Sequence, residues 1–81
     1  MRIRTLFFAL YRDLAGAPAL ELELPAGARV LDVVQRLRSG GGAWARFPAE
    51  PVAAVNQRYA PLTAELRDGD EVAFIPPVSG G

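Results

Sequence analysis

Eighty-one residues carrying nine arginines, nine acids, no cysteine and no histidine amount to one small domain with no net field for nucleic acid or an anionic membrane. The missing residue types exclude disulfides, thiolate nucleophiles, zinc sites built on sulfur or imidazole, and the usual general base of neutral pH. Serine occurs only at Ser39 and Ser79, with no histidine to complete a triad, which argues against a self-sufficient hydrolase. The chain also has no lysine, so it offers no side-chain amine for a Schiff base or an isopeptide link.

The first seventeen residues, MRIRTLFFALYRDLAGA, superficially imitate a secretion signal. The apolar run from Leu6 to Tyr11 is short and is broken by Arg12 and Asp13, so it reads as a buried strand. No stretch is long enough to span a membrane as a helix, and a cytoplasmic location is expected. The first strand is expected over residues 2–10, central in its sheet, with apolar residues on both faces from Leu6 onward. Tyr11 to Gly16 reads as a short helical turn closed by glycine. In ALELELP, Leu20, Leu22 and Leu24 alternate with Glu21 and Glu23, the pattern of a half-exposed strand at or near an edge.

Val30, Val33, Val34 and Leu37 then fall at helical spacing and form one stripe that faces a core. Asp32 in the first turn and Arg36 and Arg38 in the last suit the helix dipole, and Gly40 supplies a stop. No Ser, Thr, Asp or Asn immediately precedes Val30, so the N-cap is weak. The stretch from Ser39 to Pro51 reads as a flexible loop whose Trp44 and Phe47 anchor it to the core. Its glycines lack the Lys-Ser/Thr ending of a phosphate loop. Val52 to Val55 is a short strand, Asn56-Gln57-Arg58 a tight turn into residues 59–62, and Pro61 suits an edge. Asp68-Gly69-Asp70 turns the chain into Glu71 to Ile75, a second central strand beside the first.

Two central strands from opposite ends of the chain, an edge hairpin and one crossing helix describe an α+β fold of the ubiquitin-like β-grasp type. The expectation is a mixed sheet of about five strands with one main helix on one face. Residues 1–81 read as a single domain with a flexible tail over 76–81. The sheet face without the helix is left open to a partner, with Phe8, Leu62 and Phe74 as candidates for an outward apolar patch. Arg12 and Arg58 are candidate partners for acidic groups on whatever docks there.

Three segments, FFALYRDLAG at residues 7–16, AAVNQ at 53–57 and DGDEVAFIPPVSGG at 68–81, resemble the MoaD-like small subunits of molybdopterin synthase, and length and spacing fit over the whole chain. Departures are small: Arg29 stands where the family often has Thr before the helix, and the loop from Ser39 to Ala43 is unusually rich in glycine. The resemblance implies a sulfur carrier for molybdenum cofactor synthesis and no enzyme acting alone. It implies that the Gly81 carboxylate is adenylated with ATP by a MoeB-like, E1-type activating enzyme and converted to a thiocarboxylate by a sulfur donor such as a cysteine desulfurase. The carrier itself binds no cofactor. Sulfur then passes to cyclic pyranopterin monophosphate inside a MoaE-like large subunit, within a heterotetramer of two large and two small chains.

The ending suits that chemistry. A carboxylate is a poor acyl donor until AMP supplies a leaving group, and an activated acyl group must be kept from water in a narrow channel. Gly80 and Gly81 fit where a Cβ would not. Pro76 and Pro77 stiffen the root of the tail and form, with Val78 and Ser79, its expected partner-binding stretch. From Val78 to Gly81 the tail reaches roughly 13 Å at about 3.3 Å per residue. Alternatives left open are a carrier for thiamine or tRNA thiolation, a ubiquitin-like protein modifier, and a passive interaction module.

Overall fold

In the computed structural model, which describes residues 1–77, the chain runs β1 (Arg2–Phe7), α1 (Ala9–Ala15), β2 (Ala19–Glu23) and α2 (Val30–Arg38). A 3-10 turn (Gly42–Arg46) then leads to β3 (Val52–Val55), β4 (Arg58–Ala60) and β5 (Glu71–Ile75). The strands form one mixed sheet in the order β2-β1-β5-β3-β4. β1 pairs antiparallel with β2 and parallel with β5, while β3 pairs antiparallel with β4 and β5. This is the β-grasp arrangement expected from the sequence, with β2 at one edge and the β3–β4 hairpin at the other.

Alternation along the strands divides the sheet into two unlike faces. Ile3, Thr5 and Phe7 of β1 and Val72 and Phe74 of β5 point to one side and are fully or almost fully buried. The α2 stripe of Val30, Val33, Val34 and Leu37 covers them. Thr5 is the one buried polar side chain among the described residues, and its hydroxyl donates to the Leu20 carbonyl at 2.8 Å. Five aromatic rings close the end of this core. Phe47 sits among Tyr11, Phe74, Trp44 and Phe7 with ring centroids 5.0, 5.3, 5.8 and 6.3 Å away. The edge-on approach of Phe47 to Phe74 and Phe7 is the favoured aromatic geometry.

Two local readings, the end of β1 and the freedom of the stretch after α2, need correction. β1 stops at Phe7 instead of running to residue 10: Ala9 takes a left-handed φ of 46° and α1 begins there. The turn brings Tyr11 into the core against Phe47, burial that a continued strand would forgo. The weak N-cap of α2 is answered from elsewhere in the chain. Val30 and Leu31 N–H donate to the Ala64 and Leu62 carbonyls at 3.0 and 2.9 Å, and Asp32 Oδ2 accepts from the Arg29 N–H at 2.8 Å, so helix-end donors find partners.

The stretch after α2 is also less free than its glycines suggest, since residues 42–46 form the 3-10 turn that seats Trp44. Past the helix end, Gly41 and Gly42 both take positive φ, at 72° and 56°. Gly40 answers a packing need: a Cβ there would lie 3.0 Å from Trp44 Cδ1 and 3.2 Å from the Leu37 carbonyl oxygen.

The two faces predict opposite outcomes for two phenylalanines. Phe74→Ala, which empties a fully buried site, is expected to lower the unfolding free energy by about 3–5 kcal/mol. Phe8→Ala, at a half-exposed site, should cost less than about 1 kcal/mol. Denaturant titration of both variants checks the difference. Burial also raises the pKa of the Tyr11 phenol above its ordinary 10.0, so the folded state favours the neutral ring. Its contribution to stability is complete below that value and is lost as pH rises through the raised pKa. Tyr11→Phe should therefore flatten part of the alkaline loss of stability in a pH series of melts.

Candidate functional site

The other face of the sheet is the candidate site. It divides along the strand direction into a charged half and an apolar half. At the starts of β1 and β5, Arg2 and Arg4 lie opposite Glu23 and Glu21 of β2, and Arg4 also lies opposite Glu71. Arg2 Nε donates to Glu23 Oε1 at 3.1 Å. The pair is solvent-exposed and contributes little to stability. A shallow depression of about 520 Å³ opens here, lined by Met1, Arg2, Arg4, Glu21 and Glu23 with Asp68 and Gly69. Its opposed charges face one another across the strands, and it lies at the far end of β5 from Pro76.

At the other end is a groove of about 350 Å³. Leu6 and Phe8 from β1 and its continuation form one wall, and Ala73 and Ile75 from β5 form the floor. Ala54 of β3 and Tyr59 of β4 form the second wall, with Gln57 and Glu71 at its polar margin. Phe8 is 49% exposed and Tyr59 78% exposed, so the groove leaves large apolar surface in water. Leu6, Ala73 and Ile75, the apolar residues of β1 and β5 on this open face, are half-buried by their neighbours alone, and no further layer covers them among the described residues.

The groove ends where β5 does. β1 and β5 are parallel, with Phe7 opposite Phe74, so Phe8 and Ile75 leave the sheet at the same end and Pro76 follows beside the groove. Pro76 is half-buried and Pro77 exposed. Val78, Ser79, Gly80 and Gly81 lie outside the described residues.

The remaining site candidates separate. Phe8 lines the groove. Arg12 is exposed on α1 and Arg58 on β4, and neither makes an ion pair among the described residues. Two expectations of outward orientation are overturned. Phe74 is 0% exposed because strand alternation turns it toward Phe7 and Phe47. Leu62 is packed against the core beside α2, where its carbonyl accepts from Leu31. The residues that do build the groove, Leu6, Ala54, Gln57, Tyr59, Ala73 and Ile75, were not singled out. Their signal was the second apolar set on β1 and β5, which fits an uncovered docking face as well as a covered one.

The margin of the groove is held by a hydrogen-bonded corner. Asn56 Nδ2 donates to Asp70 Oδ1 at 2.9 Å, while Asn56 Oδ1 accepts from the Glu71 N–H at 3.0 Å. Asp70 Oδ2 accepts from the Arg67 N–H at 2.8 Å, and Asp68 Oδ1 from the Arg2 N–H at 2.7 Å. The Asp68-Gly69-Asp70 turn therefore ties the start of β1, the β3–β4 hairpin and the start of β5 together. Asn56 and Gln57 form the two-residue hairpin loop, both with positive φ, at 50° and 72°.

The protein-family model described as "ThiS family" matches residues 5–81. The chain belongs to the ThiS family. The molybdopterin synthase sulfur carrier subunit of Chlamydomonas reinhardtii is 41% identical to this chain, with 100% of both chains covered. That of Escherichia coli strain K12 is 40% identical over 98% of this chain and 99% of its own. A solved structure titled as a putative molybdopterin converting factor, subunit 1, from Pyrococcus furiosus superposes with a TM-score of 0.81 at 36% identity, covering 96% of this chain and 99% of that one. SAMP1 from Haloferax volcanii superposes with a TM-score of 0.86 at 25% identity, with 100% of both chains covered. These neighbours share the ubiquitin-like β-grasp fold described above.

Asn56→Ala is expected to lower stability by about 1–3 kcal/mol by leaving the Glu71 N–H and Asp70 carboxylate without their partner. Hydrogen exchange at the Glu71 amide should accelerate in the same variant. Exchange at Val33 and Val34 in α2 should change only as far as global stability does.

Proposed function

We propose that this chain is the sulfur carrier subunit of a molybdopterin synthase. The observation that carries the reading is full-length relatedness to named sulfur carrier subunits, joined to a Gly80-Gly81 pair that follows by one short segment a strand bordering an apolar groove. In this reading the chain is no enzyme by itself. It is a co-substrate whose reacting group is its own terminus.

An E1-like activating enzyme would join the Gly81 carboxylate to the α-phosphate of ATP, releasing pyrophosphate. Sulfide displaces AMP and leaves the thiocarboxylate directly. A persulfide carried by a donor such as a cysteine desulfurase displaces AMP to give an acyl disulfide, from which a second thiol takes the donor sulfur into a disulfide and releases the thiocarboxylate. Sulfur is a softer and stronger nucleophile than the oxygen it replaces. Within the large subunit it attacks cyclic pyranopterin monophosphate, and hydrolysis returns Gly81 to the carboxylate. With neither cysteine nor histidine in the chain, sulfur travels on the main-chain terminus and the acid-base groups come from the partner.

The groove supplies the docking surface for the large subunit. Phe8 and Ile75 border both the groove and the tail root, so seating the groove on a partner aims Pro76 and Pro77 toward one entrance, and Val78 and Ser79 are the candidate contacts that follow in sequence. Arg12, exposed on α1 beyond Phe8, is a candidate contact for an acidic group at that entrance. Phe74 acts only through the core by holding β5 in place. Such ATP-dependent activation belongs to the cytoplasm.

A second reading, a ubiquitin-like protein modifier, is favoured by the close superposition on SAMP1, whose name stands for small archaeal modifier protein 1. The same activated Gly81 would then form an isopeptide with a partner lysine. The higher identity to the carrier subunits places it second.

Incubation with the activating enzyme, ATP and a sulfur donor is expected to raise the intact mass by one sulfur-for-oxygen exchange, mapped to the C-terminal peptide. Deletion of Gly81 should abolish sulfur transfer while leaving the melt and large-subunit binding unchanged. Transfer by the truncated chain would overturn the reading, and high-mass adducts ending in Gly81 without thiocarboxylate would favour the modifier. Phe8→Asp should weaken binding to the large subunit by tenfold or more, about 1.4 kcal/mol, without unfolding the chain.

A further inference from the structure

Gln57 stands where its backbone favours another residue. It is the second loop residue of a two-residue hairpin turn, with φ 72° after Asn56 at φ 50°, the geometry in which Asn-Gly is the preferred pair. Asn tolerates this region, and Asn56 here is also pinned by its two side-chain hydrogen bonds to Asp70 and Glu71. Gln57 has no such local compensation, and a non-glycine residue held at positive φ marks stored strain. Glycine would relieve that strain and lose only the side chain.

That side chain borders the apolar groove. No side-chain hydrogen bond occupies its carboxamide among the described residues. The other polar groups at the groove are the Tyr59 hydroxyl and the Glu71 carboxylate. Only the Gln57 carboxamide presents a donor and an acceptor side by side in the arrangement of a peptide group. The backbone that carries it is fixed in advance, because the Asn56–Asp70 corner holds the turn against the start of β5.

We propose that Gln57 is a specificity-determining contact of the docking face, its carboxamide pairing with a peptide group of the large subunit as apolar surface closes over the groove. The proposal rests on the sulfur-carrier reading for the identity of the occupant. Apolar contact through Phe8, Ala73 and Ile75 binds any greasy surface of matching shape. A peptide-like pair at the margin selects register, since a misplaced partner leaves both its own group and the carboxamide desolvated and unpaired.

The strain gives the test two readouts of opposite sign. In the full chain, Gln57→Gly is expected to melt at the same temperature or higher, because glycine suits φ 72°. Its affinity for the purified molybdopterin synthase large subunit of the same organism, measured by calorimetry, should fall about tenfold. Gln57→Asn, which tolerates the same backbone and keeps a carboxamide, should recover part of that loss. A residue serving the turn alone predicts that Gln57→Gly equals or exceeds the parent in both measurements, and that result would overturn the proposal. If Phe8→Asp weakens binding and Gln57→Gly does not, the Gln57 contact fails and the docking face stands. If neither alters affinity, the docking face itself fails and takes this contact with it.

Discussion

The parallel pairing of the first and last strands, locked by Phe7 and Phe74 against Phe47, is the constraint from which the rest of the structure follows. With Phe7 opposite Phe74 in register and both rings turned toward one side, strand alternation sends Leu6, Phe8, Ala73 and Ile75 to the other. A slip of one residue in either strand would bury the groove residues and expose the core aromatics. The same pairing makes β1 and β5 leave the sheet at one end. The root of the C-terminal tail and the exposed Phe8 are therefore neighbours although they are far apart in sequence.

Core and docking face consequently impose separate demands on the same strands. The core side is closed by α2 and by the loop that brings Trp44 and Phe47 over the end of the sheet. The open side keeps half-buried apolar surface whose cover is supplied, in the proposed function, by another protein. A chain of this size gains limited stability from a single core, so the aromatic cluster carries a large share of it. Its position next to the strand ends keeps the tail root anchored while the open face remains available.

Polar groups do the remaining positioning. Asp68, Asp70 and Asn56 use their side chains on backbone and side-chain partners around one corner, joining three strands where loops would otherwise be loose. The segments that carry the family resemblance thus have distinct physical roles. Phe7 is core and Phe8 groove, Asn56 is a structural pin and Gln57 a groove margin, and Asp68-Gly69-Asp70 is the corner that sets the start of β5.

By itself the sequence determined the elements whose physics is local. Val30, Val33, Val34 and Leu37 specify the buried face of α2 because their spacing matches the helical period. The edge position of β2 follows from alternating Leu and Glu, and the bounds of β3 and β5 follow from the turn residues around them. The absence of cysteine and histidine limited the chemistry before any fold was known. Only the tertiary structure decided which apolar side of β1 and β5 is covered, since alternation assigns residues to faces without saying what lies over them. It also decided that Leu62 belongs to the core side, that carbonyls from residues 62 and 64 cap a helix with no capping side chain, and that Gln57 borders the groove. Those outcomes depend on segments meeting across long sequence separations, and no local pattern encodes such a meeting.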